Sequence, residues 1–122
     1  MRSKKLPDAD RDRLKERILG KEYELSLVFI DAKLSRKLNR IYRGKNKPTN
    51  VLAFPLSKNS GEIFIDLDTA KIDSKNFDMK PEKFVKFLYI HALLHLKGMR
   101  HGAKMNRLEH KILDGTPNRN GH

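Results

Sequence analysis

His91 and His95 stand four residues apart, so on a helix they share one face, one turn from each other. That spacing lets two imidazoles reach a single metal ion. Gly98 then lets the chain turn back, and His101 arrives three residues later. Three neutral imidazoles with a fourth position left open describe a catalytic zinc site; structural sites fill all four positions, often with cysteine. This chain has no cysteine. The competing reading makes His91 and His95 core histidines bonded to backbone. It must explain two histidines on one face of the most apolar segment, with a third just past a helix-ending glycine. His110 reads as an exposed residue of the last helix and His122 as a tail residue. A zinc peptidase of the H-E-x-x-H type carries a glutamate directly after the first histidine as general base. Ala92 occupies that position and takes no proton from water, so the simple metallopeptidase reading loses its base.

The 122 residues suit one domain, read as a metal-dependent hydrolase-like unit over 1–114. Residues 115–122, with Gly, Pro and Asn, read as a disordered tail. No apolar run approaches eighteen residues, and no apolar stretch follows the basic N-terminus, so neither a membrane helix nor a secretory signal is expected. The lack of cysteine excludes disulfides and thiolate metal sites and fits a cytoplasmic location. The formal charge is +12 and the pI about 10.1, which favours a polyanionic partner, nucleic acid first. The densest stretch is Lys33, Arg36, Lys37, Arg40, Arg43, Lys45 and Lys47, with no acid among them. A basic face can also be mere solvation in a lysine-rich chain.

The elements that must position these residues follow from periodicity and punctuation. Residues 8–19 read as a helix with Leu14, Ile18 and Leu19 inward, Asp8, Asp10 and Asp12 in its first turns and Gly20 as its stop. Residues 23–30 alternate as a strand. In 32–43, Leu34, Leu38 and Ile41 recur at helical spacing, which predicts an apolar face inward and the basic residues outward. Residues 50–56 read as a strand near a sheet edge, because Pro55 has no N–H to donate. The turn chemistry of 57–61 joins it to a short strand at 62–66, and 67–76 reads as a short helix. Pro81 opens a helix running to Lys97, uncharged from Phe87 to Leu96 and therefore buried on most sides, with Gly98 at its end. A last helix covers 104–114, with Met105, Leu108 and Ile112 inward.

Three segments, in order, resemble the YbeY family of bacterial endoribonucleases and rRNA maturation factors. The family's H-G-x-L-H-L-x-G-Y-D-H stands here as His-Ala-Leu-Leu-His-Leu-Lys-Gly-Met-Arg-His, residues 91–101. Its L-N-x-x-x-R-x-K-D-x-P-T-N/D-V-L-S-F-P matches Leu38, Asn39, Arg43, Lys45, Pro48, Thr49, Asn50, Val51, Leu52, Phe54 and Pro55. Its G-D/E-I-x-I strand is Gly61-Glu62-Ile63-Phe64-Ile65, and a weaker M-x-x-x-E follows at Met105 and Glu109. The chain departs from the pattern at Ala92 for glycine, Arg100 for aspartate, Asn46 for aspartate and Ala53 for serine. It is short at the N-terminus, where a first strand common in the family is expected to be missing. Arg100 matters most, since a carboxylate there would orient a ligand or tune bound water.

The resemblance implies an α/β fold of α+β type, a small mixed sheet of three or four strands packed with about five helices, the metal-binding helix central. It implies zinc-dependent, single-strand-specific RNA cleavage in rRNA maturation and ribosome quality control, with ribosomal subunit proteins as further partners. Zinc on His91, His95 and His101 lowers the pKa of water toward about 7 and polarises a phosphoryl oxygen. Arg43 matches the family's motif arginine and is the candidate to stabilise charge on the reacting phosphate. Lys37, Arg40, Lys45 and Lys47 would hold the RNA backbone. The sequence shows no dense aromatic run for stacking bases, so low sequence specificity is expected. Two alternatives stand beside this. One is a non-catalytic ribosome or RNA-binding assembly factor with a structural zinc. The other is a small-molecule metallohydrolase, for which the charge of +12 has no obvious use. Imidazole ligands also suit nickel and copper.

Overall fold

A computed structural model describes residues 6–115. The tail expected at 115–122 lies outside them except for Gly115, which closes the last helix; His122 also lies outside. The elements run α1 (Asp8–Leu19), β1 (Glu24–Ile30), α2 (Ala32–Arg43), β2 (Val51–Ser57), β3 (Ser60–Asp66), α3 (Leu67–Asn76), α4 (Pro81–Leu96) and α5 (Ala103–Gly115). The architecture is α+β, with five helices around a three-stranded mixed sheet of order β1-β3-β2.

The apolar stretch of α4 makes it the centre of the core. Phe84, Tyr89, Ile90 and Leu93 are fully buried, and the helix packs against α1, α3, α5, β2 and β3. Two polar staples fix it to α1: Tyr89 Oη donates to the Arg11 carbonyl at 2.8 Å, and Lys97 Nζ to the Ile18 carbonyl at 3.2 Å. Pro81 begins α4 where its missing N–H costs nothing. At the other end Gly98 takes φ +105°, its N–H reaches the His95 carbonyl at 2.9 Å, and Met99 N–H reaches the Leu94 carbonyl at 3.0 Å. This is a Schellman ending, and it folds the chain back over the helix end.

β3 is the central strand, parallel to β1 and antiparallel to β2. Ile63 and Ile65 are wholly buried in the core, and Leu25, Leu27 and Phe29 of β1 pack against the same cluster. β2 and β3 form the expected hairpin, and β2 lies at the edge, so Pro55 leaves no gap in a ladder on that side. A side chain at Gly61 would put Cβ 2.5 Å from Tyr23 Oη and 3.0 Å from Leu96, so only glycine lets β3 pass there.

α2 departs from the amphipathic expectation. Leu34 and Ile41 are 40% and 56% exposed, while the buried residues of the helix are Ser35 and Asn39. The reason is a polar dock. Asp66, fully buried at the end of β3, accepts from Ser35 Oγ at 2.6 Å, from Thr69 Oγ1 at 2.5 Å and from Thr69 N–H at 2.9 Å, capping α3. Asn39 Nδ2 donates to the Lys47 carbonyl at 2.9 Å and pins the following loop. A buried carboxylate is costly unless its lone pairs are filled, so this face of α2 must be polar. Replacing Asp66 by Ala removes the cap, strands the Thr69 hydroxyl and leaves Ser35 only its longer bond to the Ala32 carbonyl. Asp66→Ala is expected to lower unfolding free energy by roughly 2–4 kcal/mol in urea titration; a loss below about 0.5 kcal/mol would show that α2 is held otherwise.

Candidate metal centre

His91 and His95 project from the last turns of α4, and the Schellman turn at Gly98 delivers His101 to the same place. The Nε2 atoms of His91 and His95 are 3.1 Å apart, as are those of His95 and His101. Ligand nitrogens at 2.0–2.1 Å from a tetrahedral ion lie about 3.3 Å from one another. The three rings therefore fit one small divalent ion with little adjustment, and their donor atoms all lie within 4.8 Å of one another. His91 and His95 are part-buried and His101 is exposed, so the cluster sits at the surface end of a buried helix.

His91 Nδ1–H donates to Glu109 of α5, a carboxylate only 4% exposed. A carboxylate can only accept, so this contact places the proton on Nδ1 and leaves Nε2 as a lone pair aimed at the cluster. The pKa of His95 is lowered, first by burial, then by the neighbouring charges of His91, His101 and Arg43; a hydrogen bond to the Met99 backbone opposes these. A lowered pKa keeps that imidazole neutral, the form that ligates, at neutral pH.

One cleft is lined by all three histidines together with Arg43, Thr49, Asn50 and Ala53. The last turn of α2 and the loop into β2 thus face the end of α4, and the guanidinium of Arg43 shares a surface with the imidazoles. Ala92, 1% exposed, lines this cleft and packs into the core, so the methyl in place of glycine is accommodated. Lys37, Arg40, Lys45 and Lys47 are all exposed, but none of them lines the cleft. Arg36 is held by Asn46, its Nε donating to Oδ1 at 3.0 Å, so the departure at Asn46 ties the basic loop back to α2. His110 is exposed on α5, as expected.

Set beside known proteins, the chain matches the family described as Endoribonuclease YbeY over residues 5–116. The chain belongs to the YbeY family. An Endoribonuclease YbeY of Ehrlichia chaffeensis is 39% identical over 100 residues, which cover 74% of this chain and 65% of that protein. One from Ehrlichia ruminantium is 40% identical over 106 residues, covering 79% and 68%. The chain thus spans about two thirds of the length of these relatives. The fold is shared with a Thermotoga maritima protein solved in solution, at TM-score 0.63, covering 84% of this chain and 73% of that one at 24% identity.

Sequence reasoning passed over Glu109 as a working residue. Its sole signal was the weak Met105/Glu109 match to the YbeY pattern, since eighteen residues separate it from His91. Arg100 removes a carboxylate beside His101, yet Glu109 supplies one behind His91. Glu109→Gln is expected to weaken metal affinity about 10–100-fold with the far-UV spectrum unchanged, read by competition with a chromogenic chelator; unaltered affinity would leave Glu109 a packing residue.

Proposed function

We propose that this protein is a zinc-dependent, single-strand-specific endoribonuclease of rRNA maturation and ribosome quality control. It acts in the cytoplasm, with ribosomal subunit proteins as further partners. His91, His95 and His101 hold the ion, Arg43 is the catalytic cation, and Lys37, Arg40, Lys45 and Lys47 hold the RNA backbone. The observation that carries this reading is the shared cleft: an arginine and three convergent imidazoles line one surface. The relatives' name supports the reaction class, and the absence of cysteine favours a borderline ion that accepts an all-nitrogen set.

When bound, such an ion supplies Lewis acidity toward water and a phosphoryl oxygen. The chain's own residues do the rest. Glu109 fixes the ring of His91 and its tautomer. Arg43 donates two parallel N–H groups to non-bridging phosphate oxygens, and its charge offsets the negative charge that grows on the five-coordinate phosphate. The Asn39 bond to the Lys47 carbonyl fixes the loop that follows Arg43, so the guanidinium is presented from a braced turn. The exposed cations along α2 and the loop hold neighbouring phosphates in exchange for released counterions.

Arg43→Ala is expected to retain one zinc per chain while cleaving labelled single-stranded RNA about 100- to 1,000-fold more slowly. Unchanged cleavage would remove Arg43 from the reaction, and cleavage that survives chelation would remove the metal. With four backbone cations and a single-strand slope of about −0.7 per phosphate neutralised, affinity should fall roughly 50-fold between about 50 and 200 mM salt. A flat response would place the RNA elsewhere. A protein that binds RNA and zinc but never cuts would be the assembly factor instead.

A further inference from the structure

A second cavity, about 400 Å³, opens beside the histidine cluster and shares His91 and His101 with the Arg43 cleft. Its chemistry is different. Phe77, Phe87, Asn106 and Glu109 line it together with those two histidines, and no lysine or arginine does. Phe77 is the telling residue. It is 53% exposed, yet its ring lies 5.0 Å from that of Phe84 and 6.1 Å from that of Phe87. His110 extends the group, 5.4 Å from Phe87. The sequence has no dense aromatic run, but the corner between α3 and α4 assembles an aromatic wall next to the cluster.

That wall is held in place by backbone. Phe77 ends α3, and Asp78 takes φ +53°, the left-handed position that glycine usually occupies. Asp78 N–H reaches the Lys75 carbonyl at 3.3 Å and Met79 N–H the Ser74 carbonyl at 3.0 Å, which completes a Schellman corner. A non-glycine residue in that conformation carries a cost, and the corner presents the Phe77 ring to the cavity instead of burying it. The volume falls within the roughly 300–1,000 Å³ of small-molecule sites.

We propose that this cavity is a nucleobase subsite for the nucleotide next to the scissile phosphate, with Phe77 as its stacking face. The inference rests on the nuclease reading above. A phosphate seated at the histidines and Arg43 carries its flanking base one nucleotide away, and the cavity on this side presents the Phe77 ring and has no lysine or arginine in its lining. A ring face takes any base by stacking. The carboxamide of Asn106, exposed at the rim, offers both a donor and an acceptor to a base edge. The subsite therefore gives the enzyme a positional grip, and through Asn106 a nucleotide preference, at one side of the cut.

The test uses the zinc-loaded chain and a single-stranded RNA whose cut position is first mapped with wild type. Copies of that RNA carry one abasic ribose, or one 5-iodouridine, at each position around the cut. An abasic ribose at one adjacent position should lower wild-type kcat/KM about 5- to 100-fold, the range of one base stack. Phe77→Ala should lose the same factor on intact RNA, with zinc content retained, and the abasic ribose should cost it nothing more. Phe77→Leu keeps the apolar volume without the ring face and should behave like Phe77→Ala, which separates stacking from folding. Irradiated 5-iodouridine at that position should cross-link to Phe77. Additive losses, or adducts only outside this wall, would overturn the subsite while leaving the nuclease standing. Failure of the wild type to bind or cut RNA would strike the nuclease reading itself, and the subsite with it.

Discussion

Three imidazole Nε2 atoms gathered at one point repel one another when each presents a bare lone pair, the form that ligates, and water would separate the rings if the chain let them swing. The arrangement persists because the scaffold under it cannot yield. Two of the rings ride on α4, which packs against α1, α3, α5, β2 and β3. The third arrives on a turn whose geometry is set by Gly98 at φ +105°. Behind His91, Glu109 fixes the tautomer, so the lone pair has one direction. A cation at the convergence converts the repulsion into attraction. The cluster is thus pre-organised for an ion by the same apolar helix that makes the core, and the proposed metal chemistry would take its precision from packing.

Arg43 depends on a different kind of joint. Its helix, α2, is attached through Ser35, which donates to the buried Asp66 that also caps α3, while Asn39 ties down the following loop through the Lys47 carbonyl. Apolar packing tolerates small slides; a short bond from Ser35 to a carboxylate that is already filled by Thr69 does not. The polar dock fixes the register of α2 against the sheet, and with it the place from which Arg43 enters the cleft. Leu34, Ile41 and Tyr42 remain outside as a consequence. The two halves of the proposed site, imidazoles and guanidinium, are therefore held by separate means that meet at β3, the central strand.

Much of this was legible from residue types. Every helix and strand lies where periodicity, Pro81, Gly20 and Gly98 put it, the β2–β3 hairpin and the edge position of Pro55 included. The histidine spacing foretold the cluster. The inward face of α2 was not legible, because the rule that apolar residues face the core has no knowledge of Asp66, thirty-one residues from Ser35. Glu109 was hidden for the same reason, its role arising only when α5 folds back along α4. The aromatic wall was not legible because Phe77 lies apart from Phe84 and Phe87 in the chain, and only the α3–α4 corner brings the three rings together and leaves one exposed.

The atoms that surround a bound ion decide whether the three imidazoles hold it. X-ray absorption at the zinc edge, on protein loaded with one equivalent of zinc and freed of excess, reports which atoms surround it. Three imidazole nitrogens at about 2.0–2.1 Å are expected in the wild type, falling to two in His95→Ala or to no bound ion at all. An ion surrounded by fewer imidazoles in the wild type, or an unchanged spectrum in His95→Ala, would contradict ligation by the three histidines.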